Sequence, residues 1–143
     1  MLTHAELLNL PAGRMAIGGH GASHQPIART VDAAADLRRS QADLAKRTGQ
    51  PVRTMSYPHG SYDGQSVAAA RGAGFDLQFT SDRVLNPIPR EGPPPTVLGR
   101  VGLDEQQMTD ASGIFRADVL ANFMWRPRIV RLDGERPLSA RHG

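Results

Sequence analysis

Residues 53–63 read Arg53-Thr54-Met55-Ser56-Tyr57-Pro58-His59-Gly60-Ser61-Tyr62-Asp63, a short run broken by proline and glycine and closed by an aspartate. Arg53–Tyr57 predicts a strand, and Pro58 and Gly60 stop it by bracketing His59 in a tight bend. Asp63 is placed to cap a helix carrying Val67, Ala68, Ala69 and Ala70, closed by Gly72 or Gly74. Strand, tight loop and helix in that order form most of a βαβ unit, and the rest of the chain is read outward from it.

Upstream the same order recurs. Met15-Ala16-Ile17, ending at Gly18-Gly19, predicts a short buried strand. Thr30 or Asp32 caps a longer helix with Val31, Ala34, Leu37, Leu44 and Ala45 on one face and Arg38, Arg39, Asp43 and Lys46 in water. Gly49 and Pro51 end that helix. Near the start, Thr3-His4-Ala5-Glu6 is a capping box for a helix through Leu7, Leu8 and Leu10, stopped by Pro11 and Gly13.

Downstream, Phe75-Asp76-Leu77-Gln78-Phe79-Thr80 alternates, which predicts a strand with Phe75, Leu77 and Phe79 inward. Asn86–Pro95 is rich in proline and predicts a loop, and Thr96–Val101 predicts a fourth strand. Ile114–Trp125 predicts a last amphipathic helix with Ile114, Val119, Leu120 and Phe123 on its apolar side. Residues 1–126 are expected to form one domain and 127–143 a tail, with a strand at Ile129-Val130 and a loose end from Ser139 to Gly143. Helices between short strands imply an α/β fold with a mostly parallel sheet, whose working residues lie on loops after the strand C-termini.

Composition narrows the chemistry. At 143 residues the chain is long enough to bury a core without cross-links. The absence of cysteine excludes disulfide scaffolds, Cys-ligated zinc and thiol nucleophiles. Fifteen glycines and eleven prolines against 5 % aromatic residues imply many turns between short elements. No apolar run approaches the roughly 18 residues of a membrane span, and Met1 leads into a polar segment without the pattern of a signal peptide. The net charge of +3 comes almost wholly from scattered arginines, with only Arg126, Arg128 and Arg131 near Trp125. Without a concentrated basic face or interleaved stacking aromatics, nucleic acid is not expected as a partner.

Two loops carry chemistry. Gly18-Gly19-His20-Gly21-Ala22-Ser23-His24 puts two histidines four apart at the mouth of a predicted strand. Imidazole suits a borderline metal such as zinc, although such a pair alone reads more readily as two surface histidines in a flexible loop. A phosphate cradle is excluded, because the Walker spacing and its lysine are missing. In the second loop, the bend at Pro58-His59-Gly60 aims backbone N–H groups at the sheet's C-terminal edge, the kind of donor an oxyanion needs. The same residues also read as a plain turn capped by Asp63.

Taken together, from about Leu2 to Val101, the chain resembles the polysaccharide deacetylases of carbohydrate esterase family 4, which include the NodB-like chitooligosaccharide deacetylases. Residues 15–24 stand at that family's strand and H-[ST]-x-x-H motif, and Gly49-Gln50-Pro51-Val52 at its Gly-x-Pro-Val. Tyr57-Pro58-His59-Gly60-Ser61-Tyr62-Asp63 matches Tyr-Pro-Tyr-Gly-x-Tyr-Asp, Ala73-Gly74-Phe75 matches Ala-Gly-Tyr/Phe, and Phe79-Thr80 ends a strand as Phe-Thr does. The resemblance implies an incomplete (β/α) barrel and metal-dependent removal of acetyl groups from sugars. It implies His20 and His24 as ligands of a divalent metal, zinc by type, the His59 backbone N–H as oxyanion donor, and Tyr57 and Pro58 as groove wall. A carbohydrate is the implied substrate, and members of the family usually act in the cell envelope or outside the cell.

Departures from the pattern set further expectations. The family's opening Thr-Phe-Asp-Asp motif supplies a base and an Asp ligand, and this chain contains no Asp-Asp pair. The early strands are therefore expected to lie outside the 143 residues, leaving an open sheet edge that invites self-association. Gly21 replaces a bracing Ser/Thr, Ser56 stands where many members carry Arg, and His59 replaces Tyr or Phe. No histidine lies between His59 and His142 to match the family's late general acid. Two functions follow: a metal-dependent carbohydrate deacetylase, or a deacetylase-like scaffold or carbohydrate-binding remnant without turnover.

Overall fold

The structure is a computed structural model and describes residues 3–8, 15–87, 89–125 and 128–129. The helix stop at Pro11 and Gly13 and the tail beyond residue 129 lie outside the described residues. In chain order the elements are α1 (His4–Leu8), a 3-10 turn (Ile27–Arg29), α2 (Ala33–Thr48), β1 (Thr54–Ser56), a second 3-10 turn (Pro58–Gly60) and α3 (Gly64–Gly72). There follow β2 (Leu77–Phe79), β3 (Val84–Leu85), β4 (Val97–Leu98), α4 (Glu105–Met108), α5 (Ala117–Trp125) and β5 (Arg128–Ile129).

The helix boundaries follow local chemistry. Glu6 accepts from the Thr3 N–H at 2.7 Å and the Glu6 N–H donates to Thr3 Oγ1 at 3.2 Å, closing the capping box of α1. Asp32, rather than Thr30, caps α2 by accepting from the Ala35 N–H at 2.8 Å. Val31 precedes that cap, and its side chain is fully exposed instead of joining the apolar face. Gly49 ends α2 in the left-handed conformation (φ 67°) that a glycine adopts without steric cost. Asp63 accepts from both the N–H and the hydroxyl of Ser66 at 2.7 Å, fixing the start of α3.

Strands β1, β2 and β4 form a parallel sheet in that order, with Met55 opposite Gln78 and Gln78 opposite Val97. Gly19 adds to the outer side of β1 by one parallel bridge to Met55. Its N–H donates to Thr54 O at 2.7 Å, and its carbonyl accepts from the Ser56 N–H at 3.0 Å. The strand predicted at Met15–Gly19 is thereby reduced to a single paired residue. β1 offers ladder partners only from Thr54 onward, so Met15, Ala16 and Ile17 run past its start. These strands form the arc of a partial barrel among the described residues.

One face of the arc carries Gly19, Met55, Gln78 and Val97, all buried. It backs onto α2 and α3, where Leu37, Val67 and Ala70, with Phe75 just beyond α3, complete the core. The inward set predicted for 75–80 is only partly right. Phe75 is buried, but Gln78 and Thr80 are fully enclosed while Leu77 and Phe79 are half-buried. Gln78 can take the covered face because its amide is satisfied: Oε1 accepts from the Tyr57 phenol, and Nε2 donates to Val67 O at 3.3 Å and Phe75 O at 3.4 Å.

The C-terminal part differs more from expectation. β3 lies outside the strands predicted from the sequence; it pairs in parallel with β5, so Arg128–Ile129 at the start of the predicted tail join a two-stranded sheet. α5 starts at Ala117, and Ile114 lies ahead of it, exposed, in a turn bridged between Thr109 and Phe115. Val119, Leu120 and Phe123 are half-buried, as the apolar side of that helix. Among the described residues no helix is long and apolar enough to cross a membrane.

Candidate functional site

The C-terminal edge of the sheet gathers three histidines. His20 directly follows the bridging residue Gly19, and His59 lies in the turn two residues beyond Tyr57, just past the end of β1. The His24 ring stands between them, its centre 4.9 Å from that of His20 and 5.0 Å from that of His59. All three side chains are exposed.

The His20 ring is held by Ser56. His20 Nδ1 lies 2.8 Å from Ser56 O and 2.8 Å from Ser56 Oγ. With Nδ1–H donating to the carbonyl, Nε2 keeps its lone pair for a ligand, the arrangement by which an outer partner orients a metal-binding imidazole. The loop between His20 and His24 is clamped by Asp36 in the first turn of α2. Its two carboxylate oxygens accept from the Ala22 and Ser23 N–H groups, each at 2.9 Å. Gly21 takes φ 73°, and a Cβ there would lie 3.1 Å from Asp36 Oδ2. The brace expected from a hydroxyl at position 21 is thus supplied by Asp36, and glycine leaves room for it.

The second loop is set by its own backbone. Gly60 N–H donates to Tyr57 O at 3.0 Å and Ser61 N–H to Pro58 O at 3.1 Å. His59 between them takes φ 56°. Gly60 takes φ 64°, and a Cβ there would fall 1.7 Å from Ser81 Oγ, so a side chain would displace that hydroxyl. Among the described residues, no acceptor faces the His59 N–H.

Tyr57 and Pro58, expected at a groove wall, are buried instead. Tyr57 stacks on Tyr62 at 5.2 Å and donates its phenol to Gln78, while Tyr62 donates to Asp82 Oδ2 at 2.5 Å. Burial pushes the Tyr57 phenol well above its ordinary range, with Tyr62 and Asp63 adding to the shift, so it stays a neutral donor. Tyr57 is 1% exposed, and its phenol is spent on Gln78. Beside the first loop opens a cavity of about 640 Å³, lined by Ser23, Gln25, Arg29, Asp32, Asp36 and Arg39.

The donor set fits a borderline divalent ion in kind but falls short in number. Among the described residues no three His, Asp or Glu side chains stand ready around one point, whereas a catalytic zinc has three protein ligands. Asp36 and Asp63 spend carboxylate oxygens on backbone N–H groups, and Asp82 accepts from Tyr62.

The sequence model of the family described as polysaccharide deacetylase matches residues 5–77, just over half of the chain. The chain belongs to the polysaccharide deacetylase family. A deacetylase of Streptococcus pyogenes, solved in complex with acetate, superposes with a TM-score of 0.54 at 19% identity, over 58% of this chain and 38% of its own. A polysaccharide deacetylase from Bacillus cereus superposes with a TM-score of 0.53 at 23% identity, over 57% of this chain and 26% of its own. At these identities the likeness is one of fold, and it accounts for the partial barrel: the chain spans well under half the length of either structure. No curated protein matches the chain.

Proposed function

We propose that this chain carries the histidine side of a metal-dependent carbohydrate deacetylase site, a hydrolase that removes acetyl groups from N-acetylated sugars. The supporting observation is that the His20 and His24 rings, 4.9 Å apart, share one sheet edge with the turn that leaves the His59 N–H without an acceptor. His20 and His24 would hold a divalent ion, zinc by the nature of imidazole donors. A bound ion of this kind supplies Lewis-acid polarisation of a carbonyl and lowers the pKa of water.

The chain's own residues do the rest. Ser56 fixes the His20 ring, Asp36 holds the His20–His24 loop in shape, and the His59 N–H donates to the oxygen of an acetyl carbonyl as charge develops there. Arg29, Asp32 and Arg39 in the adjoining cavity offer charged groups for sugar hydroxyls. The test is acetate release from chitooligosaccharides with and without added zinc. Zinc-dependent release that His24→Ala abolishes supports the reading.

The second reading is a scaffold that binds carbohydrate without turnover. It is favoured by the lack of a third ready ligand among the described residues. Saturable chitooligosaccharide binding with no acetate release, zinc present, selects it.

A further inference from the structure

We propose that Arg29 and Arg39 make the cavity beside the His20–His24 loop a subsite for an acidic carbohydrate, one whose units carry carboxylate or phosphate groups. This rests on the carbohydrate reading above and deepens it, by naming the class of sugar and the residues that select it. At about 640 Å³ the cavity has the size of a ligand pocket. Its lining includes Ser23 and Gln25, the two chain neighbours of His24, so a sugar held there lies against the loop that carries the histidines.

Local structure places both arginines on this space. Arg29 closes the 3-10 turn Ile27–Arg29, and Arg39 lies in α2 on one helical face with Ala35 and Asp36, below the capping Asp32. All four of these α2 positions line the cavity, whereas Arg38, one residue from Arg39 and about 100° around the helix, does not.

What the lining has left to offer is mostly donors. Asp36 has both oxygens on the Ala22 and Ser23 N–H groups, and Asp32 has Oδ1 on the Ala35 N–H. Both acids also stand at the start of α2, where the positive end of the helix dipole offsets their charge. Among the described residues the ion pairs are Arg53–Asp76 and Arg116–Asp118, and neither Arg29 nor Arg39 has a side-chain partner. Two guanidiniums with five N–H donors each therefore line the cavity unpaired, against one unpartnered carboxylate oxygen, Asp32 Oδ2. That excess suits an oxyanion better than a neutral sugar, whose hydroxyls donate as well as accept. The planar fork of arginine also matches paired carboxylate or phosphate oxygens. Val31, fully exposed in the same lining, offers an apolar surface to the C–H face of a sugar ring.

The experiment is calorimetric titration of the whole chain, without metal, by two pairs of sugars. One pair is a heparosan tetrasaccharide, in which N-acetylglucosamine alternates with glucuronate, against neutral chitotetraose. The other is N-acetylglucosamine 1-phosphate against free N-acetylglucosamine. In at least one pair the acidic member should bind about tenfold tighter, the worth of one charge-assisted hydrogen bond, and strong salt should shrink the margin. A margin in the first pair assigns the site to carboxylate, and a margin in the second to phosphate. Arg29→Gln and Arg39→Gln should each remove most of it, while Arg38→Gln, on the same helix outside the cavity, should leave it; circular dichroism checks the fold of each variant. Equal affinity within both pairs, no binding of any of the four sugars, or a margin that Arg29→Gln and Arg39→Gln leave intact overturns the subsite. Zinc-dependent acetate release from chitooligosaccharides beside such a result leaves the deacetylase reading standing. An arginine-dependent margin without acetate release keeps the subsite and removes that reading instead.

Discussion

The part of the molecule from Gly19 to Thr80 and the part from Val101 to Trp125 are built on different principles. In the first, contacts join residues far apart in sequence: Gly19 to Thr54, Asp36 to Ala22 and Ser23, and Tyr57 to Gln78. In the second, α4 and α5 are stitched mainly to each other, through the Thr109–Phe115 bridge and the Arg116 N–H on Met108 O. Met108 is buried there, while Phe115, Met124 and Trp125 are exposed. The site belongs wholly to the first part, because holding three exposed rings near one another needs a backbone fixed by distant partners. The second part is tied to Arg83, the residue ahead of β3, which lies 3.9 Å over the Phe123 ring and donates to Phe123 O at 2.9 Å.

The contrast is broken most severely by paired core and surface truncations. Phe75 is 0% exposed and its ring abuts Gly19, where a Cβ would lie 2.7 Å away. Phe75→Ala should cost about 3–5 kcal/mol by urea denaturation. Trp125→Ala, at a side chain 91% exposed, should stay within about 0.5 kcal/mol. Similar losses for the two would mean that the parts do not differ as described.

Next in size is the clamp. Asp36→Ala releases the Ala22 and Ser23 N–H groups and should cost about 1–2 kcal/mol, while weakening zinc binding about tenfold, as outer partners of ligands do. Asp36→Asn keeps one acceptor and should fall between Asp36→Ala and the unaltered chain in both measurements. Unchanged zinc binding in Asp36→Ala would show that the loop holds its shape alone. Smaller again is Arg83→Gln, which removes the cation from the Phe123 ring and should loosen α5 by about 0.5–1 kcal/mol. Hydrogen exchange should rise across 117–125 and stay unchanged across 33–72; a uniform rise would contradict separate anchoring.

Much of the first part was legible in the sequence because its signals are local. A capping aspartate, a left-handed glycine and a Pro-His-Gly bend act within a few residues, and Asp32, Gly49, Asp63 and His59 stand where such signals put them. What escaped was decided across the chain. Asp36 looks like any acid in a first helical turn, where the helix dipole alone justifies it, and no spacing reveals that it reaches back to residues 22 and 23. Gln78 takes the covered face because Tyr57, Val67 and Phe75 happen to satisfy its amide, so periodicity named Leu77 and Phe79 instead. Met15–Ile17 is apolar enough for a strand and lacks a ladder partner at that register. The sequence also offered His59 as a backbone donor and said nothing of its ring standing beside His24.

The smallest effect concerns the second part at low pH. Arg116 grips Asp118 with two bonds, Nε to Oδ1 at 2.9 Å and Nη2 to Oδ2 at 2.6 Å, at the start of α5. These hydrogen bonds push the Asp118 carboxyl down from an ordinary 3.8 to about 2. A folded-state value below the unfolded one means that the pair's contribution is fully present above pH 3.8 and fades as pH falls through about 2. Both side chains are largely in water, with 48% of Arg116 and 67% of Asp118 exposed, so solvent and salt screen the contribution. A carbon-detected NMR titration should therefore find the Asp118 carboxyl midpoint near 2 at low salt and higher in strong salt. Arg116→Gln should return it to the ordinary carboxylate range, with no change in the melting of the Gly19–Thr80 part. A midpoint already ordinary in the unaltered chain would show that the fork does not form in solution, and α5 would then be anchored by Arg83 and Phe123 alone.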